Sequence, residues 1–150
     1  MRRPILIVED NSNDLDLLVL ALERSGVANA IVTVGDGQQA LDFLQRKGRF
    51  QNREPLEPKF VLLDIKLPRV NGLEVLAAMR EVPFLRTVPV IMLTSSGDVA
   101  DVAKAYDLGA NGYVIKENDF QAFLRSVSQI SRMWAQLNES PPHFKRLPHG

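Results

Sequence analysis

Short runs of β-branched and aliphatic residues alternate along the chain with longer stretches in which apolar residues recur every three or four positions. Ile5 to Val8 is a continuous apolar run of buried-strand length, closed by the polar Glu9-Asp10-Asn11-Ser12. The spacing of Leu15, Leu18, Val19 and Leu22 predicts a helix capped by Ser12 or Asn13 and closed by Gly26. Ile31 to Val34 reads as a second strand. Asp36 or Gly37 then opens a helix through Ala40, Leu41, Phe43 and Leu44 that is expected to stop at Gly48. Arg49 to Lys59, with two prolines and several charges, reads as an exposed loop. Phe60 to Leu63 is a third strand, and Leu73, Val75, Leu76 and Met79 mark a third helix. Val88 to Leu93 is expected as the fourth strand, with Pro89 confining its start. A fourth helix runs through Val99, Val102, Ala103, Ala105 and Tyr106 to Gly109, and Gly112 to Ile115 is the fifth strand. A last helix is predicted from about Asp119 to Asn138. Five strands alternating with five helices imply a doubly wound α/β fold on a parallel sheet with right-handed crossovers.

Composition narrows this further. A chain of 150 residues suits one domain, read here as residues 1–138 with a loose tail over 139–150 around Pro141-Pro142. The 18 basic and 18 acidic residues balance, which removes any electrostatic reason to expect nucleic acid or an anionic membrane as partner. There is no cysteine, hence no disulfide, thiolate zinc site or cysteine nucleophile. No apolar run reaches the ~18 residues of a membrane helix, and Glu9-Asp10 ends the first apolar stretch too early for a signal peptide. The expectation is a soluble cytoplasmic protein.

In a doubly wound sheet, ligands bind beyond the carboxyl ends of the strands. Here those ends carry Glu9 and Asp10 (first strand), Asp64 (third), Thr94 (fourth) and Lys116 (fifth). Clustered carboxylates need a cation or must take up protons. Oxygen-only ligands favour a hard ion, Mg²⁺ first and Mn²⁺ or Ca²⁺ after it. Such an ion would bring a phosphoryl donor against Asp64, whose carboxylate can attack phosphorus to give an acyl phosphate. The ion and Lys116 would stabilise the phosphoryl oxygens, and Thr94 could donate to one of them. Thr94, Ser95 or Ser96 could instead cap a helix, and Tyr113 could be a core aromatic. His143 and His149 lie in the tail and read as bystanders.

From Pro4 to Ser131 the chain resembles the response-regulator receiver family of two-component signalling. The matching pieces are Glu9-Asp10, Asp64 within Leu63-Asp64-Ile65-Lys66-Leu67-Pro68-Arg69-Val70-Asn71-Gly72, Thr94, and Lys116 after Tyr113. The resemblance implies a flavodoxin-like sheet of order 2-1-3-4-5. It implies Mg²⁺-dependent phosphotransfer from a sensor histidine kinase to Asp64, the protein being an acceptor rather than a turnover enzyme. Asp10 and Asp64 would be direct ligands, Glu9 would act through water, and the Lys66 backbone carbonyl would add a ligand. Thr94 and Tyr113 would move together and remodel the surface of helix 4, strand 5 and helix 5. Side chains at Lys66 and Ser96 would tune loss of the phosphoryl group. Glu117 stands where the family often has proline.

Phe120, Phe123, Val127, Ile130, Trp134 and Leu137 are spaced 3, 4, 3, 4, 3, a narrow seam that packs against another helix. The last helix would be about 30 Å long, more than the sheet beneath it needs, leaving Met133, Trp134 and Leu137 exposed. A homodimer on this seam is expected. The stretch Met133 to Pro142 and the long loop before strand 3 resemble the receiver-only regulators that partner bacterial phytochromes, so a bacteriophytochrome is the expected kinase. With no output domain expected to follow, output would be a protein contact or onward transfer, as in a phosphorelay shuttle. Two other readings compete: a phosphorylation-independent interaction module, and a haloacid-dehalogenase-type phosphohydrolase. The second wants an acid two residues after the nucleophile, where Lys66 stands.

Overall fold

The computed structural model describes residues 2–142. Strands β1 (Ile5–Val8), β2 (Ile31–Val34), β3 (Phe60–Leu63), β4 (Val90–Thr94) and β5 (Gly112–Ile115) form one parallel sheet of order β2-β1-β3-β4-β5. Helices α1 (Ser12–Arg24), α2 (Gly37–Gln45), α3 (Gly72–Glu81), α4 (Val99–Asp107) and α5 (Phe120–Ser131) alternate with them. The alternating pattern anticipated this doubly wound arrangement, and the family resemblance its flavodoxin-like strand order. Side chains of β1, β3 and β4 alternate between two cores. Leu6, Val8, Val61, Leu63, Val90 and Met92 face α2, α3 and α4, while Ile5, Ile7, Phe60, Leu62, Ile91 and Leu93 face α1 and α5. Burial on both faces is why these strands read as unbroken apolar runs. Each large aliphatic residue withdrawn from water stabilises the fold by about 1.5–3 kcal/mol.

Every helix starts on an Asn or Asp whose side chain accepts from the first turn: Asn11, Asp36, Asn71, Asp98 and Asp119. The cap of α1 is therefore Asn11, not Ser12 or Asn13. Its extended backbone lets its side-chain Oδ1 accept from the Asp14 N–H at 3.0 Å. Helix α2 ends before Gly48, because Arg46 adopts the left-handed conformation at φ 57°. β4 begins at Val90 rather than Val88. Proline offers no N–H to the ladder, and the Val90 N–H is met by the side chain of Asn111 at 2.9 Å.

Three expectations about the periphery are corrected. The 49–59 loop is not simply exposed: Phe50 packs edge-on against Phe43, the Arg53 guanidinium lies 4.1 Å over the Phe43 ring, and Glu57 and Pro58 are buried. The last helix runs nearly as far as expected, with Arg132–Leu137 π-helical. Trp134, expected exposed, packs against the α1–α5 core, whereas Met133 and Leu137 are exposed as expected. Phe123, Val127 and Ile130 are buried in that same core, so the inner half of the seam is occupied within the chain and is not a surface for a second copy. The proposed loose tail is fastened as far as it is described: Lys59 Nζ donates to the Asn138 carbonyl and Ser140 hydroxyl, and Arg3 to the Pro141 carbonyl. His143 and His149 lie outside the described residues.

Arg80, at the end of α3, holds the α3–β4 and α4–β5 connections together. Its guanidinium donates to the carbonyls of Leu85, Arg86, Val88 and Gly109 and to the Asn111 side chain, at 2.8–3.3 Å. Arg80→Ala should lower stability by about 2–3 kcal/mol in urea titration, because several acceptors lose a charged donor at once. Arg80→Lys should recover only part of this, since one ammonium cannot span the fork of acceptors.

Candidate functional site

Parallel strands in register deliver their carboxyl ends to one edge of the sheet, and the next residues turn into the caps of α1, α3 and α4. Glu9 and Asp10 follow β1, Asp64 follows β3, Thr94 ends β4 and Lys116 follows β5. Carboxylate oxygens of Glu9, Asp10 and Asp64 lie within 4.8 Å of one another. Glu9 and Asp64 are buried and Asp10 is exposed, so the cluster opens to solvent on one side.

Lys116 Nζ reaches into this cluster and donates to Glu9 Oε1 at 2.5 Å, Asp14 Oδ2 at 2.9 Å and Asp64 Oδ2 at 3.1 Å. Backbone N–H groups fix the other carboxylate oxygens: Asn11 donates to Glu9 Oε2 at 3.1 Å and Ile65 to Asp64 Oδ1 at 2.7 Å. Burial works against the Lys116 charge, yet its hydrogen bonds to Glu9 and Asp14 hold its pKa above that of an ordinary lysine. Burial pushes Glu9 up to about 7, and the Asp64 charge adds to this against the pull of Lys116 and the Asn11 N–H. One ammonium does not neutralise the carboxylates gathered here.

The loop after Asp64 is held close to it. A Cβ on Gly72 would lie 1.9 Å from the Asp64 carbonyl oxygen, and one on Gly37 would lie 1.7 Å from the Val70 carbonyl oxygen. Only glycine fits at either position, so the start of α2 abuts the β3–α3 loop and limits where the Lys66 carbonyl can go. The Lys66 side chain is exposed on that loop.

Thr94 is 1 % exposed, and its hydroxyl accepts from the Ser96 N–H at 3.3 Å. Tyr113 is half-buried, and its hydroxyl donates to the Ser96 carbonyl at 2.8 Å. Its pKa is raised first by burial and further by Asp101, Asp64 and Asp98. The Ser96 hydroxyl donates to Asp101 Oδ2 at 2.6 Å, which ties it to the first turn of α4. Thr94, Ser96 and Tyr113 thus meet in the β4–α4 connection. Asp14 is the site residue that sequence reasoning missed. It stands in the first turn of α1, just behind the Glu9-Asp10 pair, and an acid in that turn was a usable signal.

The donor set fits a hard divalent cation: three carboxylates, no nitrogen or sulfur ligand, surplus negative charge and an open side. Glu9, Asp10 and Asp64 are the side chains that would hold it. Among the described residues no helix is long and apolar enough to cross a membrane.

Comparison with known proteins points the same way. Residues 5–128 match the profile of the response regulator receiver domain. Response regulator Rcp1 of Synechocystis sp. is 34 % identical over 132 residues, 88 % of each chain. The solved Mn²⁺-bound form of Rcp1 superposes with TM-score 0.88 at 33 % identity, covering 94 % of this chain and 100 % of that one. The structure of the phosphorylated cyanobacterial phytochrome response regulator RcpA gives TM-score 0.89 at 34 % identity, covering 95 % and 100 %. The bacteriophytochrome response regulator RtBRR is 51 % identical with TM-score 0.76, covering 95 % and 86 %.

The raised Glu9 pKa sets a pH dependence. In the folded protein Glu9 holds its proton from its ordinary 4.5 up to about 7, so its contribution to stability without a cation is present below 4.5 and lost as pH rises through 7. A divalent cation competes with that proton. Mn²⁺ affinity by calorimetry should tighten as pH rises through about 7, with proton release on binding, and Glu9→Gln should flatten this dependence.

Proposed function

Because the chain belongs to the response regulator receiver domain family, we propose that it accepts a phosphoryl group from a sensor histidine kinase onto Asp64, with Mg²⁺ as the working cation. The observation that carries this reading is Lys116 Nζ, 3.1 Å from Asp64 Oδ2 and beside the three-carboxylate cluster. A carboxylate oxygen of Asp64 attacks phosphorus, the bond from phosphorus to the donor histidine nitrogen breaks with its electron pair going to that nitrogen, and the ring, protonated beforehand on its other nitrogen, leaves as neutral imidazole. Lys116 balances negative charge on the phosphoryl oxygens, and the Thr94 hydroxyl turns to donate to one of them. When bound, the cation supplies further charge neutralisation at those oxygens. Asp10, Asp64 and the Lys66 carbonyl would hold it directly, with Glu9 acting through water. The protein is a stoichiometric acceptor, not a turnover enzyme.

Movement of Thr94 draws on the Ser96 segment and therefore on Tyr113, whose hydroxyl is bound to the Ser96 carbonyl. The signal passes to the surface of α4, β5 and α5, where Val99, Tyr106, Ile115 and Phe120 are exposed. Likeness to RcpA and RtBRR supports a bacteriophytochrome as the kinase, and with it a cytoplasmic location. The exposed Phe120, Met133 and Leu137 support a homodimer along the outer side of α5 and its π-helical extension.

Incubation with acetyl phosphate and Mg²⁺ should add one phosphoryl group by intact mass, and Asp64→Asn should abolish the gain. No gain in the native protein, or a gain that survives Asp64→Asn, overturns the mechanism. Light scattering at micromolar concentration should give twice the chain mass, falling to monomer in Leu137→Glu. A monomer from the start removes the dimer.

A further inference from the structure

An ammonium has three N–H donors, and Lys116 directs all three at carboxylates. Two of those acceptors, Glu9 and Asp64, belong to the set that would hold a divalent cation; the third, Asp14, does not. A cation held by the cluster would compete for the oxygens of Glu9 and Asp64 and would repel the ammonium. The bonds from Lys116 to those two would then weaken just when the site is ready for phosphoryl transfer. Asp14 would keep its bond, because it lies outside the group of carboxylates that would hold the cation. It sits in the first turn of α1, with its own backbone N–H fixed by the Asn11 cap. Lys116 has a side chain only 10 % exposed, against 32 % for Asp14, so the pair spans from the buried cluster to its rim. There it is screened less than an ion pair in open solvent.

We infer that Asp14 is the positioning residue for Lys116, holding its ammonium toward Asp64 while a divalent cation occupies Glu9, Asp10 and Asp64. Asp14 touches neither cation nor phosphoryl group and acts through Lys116 alone. Its role rests on the reading of Asp64 as phosphoryl acceptor. In the test reaction an Asp64 oxygen bonds to the phosphorus of acetyl phosphate, the phosphorus–oxygen bond of the donor breaks, and acetate leaves with the electron pair. Without Asp14, the ammonium that should meet the phosphoryl oxygens is displaced by the cation's charge and spends less time in place.

The test compares native protein, Asp14→Asn and Asp14→Ala at saturating Mg²⁺. Asn keeps an acceptor but loses the charge, whereas Ala loses both. The initial rate of phosphoryl gain by intact mass should fall about ten-fold in Asp14→Ala and by less in Asp14→Asn. Mg²⁺ affinity by calorimetry should stay within about two-fold of native, since Asp14 is not a ligand. The ¹⁵N ammonium resonance of Lys116, read on Mg²⁺-loaded protein without donor, should be sharp in native protein and exchange-broadened in Asp14→Ala. Thermal melting of each variant, with the near-isosteric Asn as the safer replacement, separates these effects from loss of fold. No phosphoryl gain in native protein overturns the acceptor reading and this role with it. Native gain with variant rates equal to native overturns the role of Asp14 alone. A loss of Mg²⁺ affinity matching the loss of rate also overturns it, by making Asp14 a ligand.

Discussion

The structure turns on one electrostatic constraint: a buried ammonium set against more carboxylates than it can neutralise. Lys116 satisfies its donors on Glu9, Asp14 and Asp64, while Asp10 completes the acidic group from the solvent side. An imbalance of this kind is tolerable only where the backbone fixes the charges, because free side chains would separate. The parallel register provides that fixation. β1 lies between β2 and β3, and β4 between β3 and β5, so each site residue is held by a strand end whose neighbours are themselves held. The surplus charge is also what makes the site receptive to a small hard cation.

Rigidity next to the cluster comes from close backbone approach as well as from hydrogen bonds. Gly37 and Gly72 leave no room for a side chain, which locks the β3–α3 loop between α2 and the end of β3. Away from that edge Arg80 does comparable work with hydrogen bonds, closing the turns at the far end of α3. The β4–α4 connection differs. Thr94, Ser96, Asp101 and Tyr113 are linked by single hydrogen bonds, each able to exchange for another partner. A firm carboxylate cluster beside a more loosely tied connection is the arrangement a switch requires.

How legible this was in the sequence follows from the physics of each piece. β1, β3 and β4 are buried on both faces and leave uninterrupted apolar runs, and the short β-branched stretches of β2 and β5 stood out between helical periods. All five were therefore visible, and Glu9, Asp10, Asp64, Thr94 and Lys116 followed from their positions at the ends of the runs. Cap positions were less legible, because Asn11, Ser12 and Asn13 are all competent caps and only the chain's exit angle from β1 selects Asn11. Asp14 was missed because it lies inside a helix, outside the strand-end rule that located the others. The seam from Phe120 to Leu137 misled for a different reason. A heptad-like stripe serves equally well against a neighbouring helix of the same chain, and α1 takes Phe123, Val127 and Ile130. Arg53 stacking on Phe43 left no periodic trace that could have revealed an ordered loop.

The clasp of Arg3 on the Pro141 carbonyl, and of Lys59 on Asn138 and Ser140, lies before the first residues of β1 and β3, at the opposite edge of the sheet from the carboxylates. Residues 138 positions apart in sequence are therefore neighbours in space, and the backbone between Arg3 and Pro141 is close to a closed ring. Tension between those two residues would load that clasp and the start of β1 first. The charged edge lies at the other end of β1, so that pull reaches it through the length of the strand.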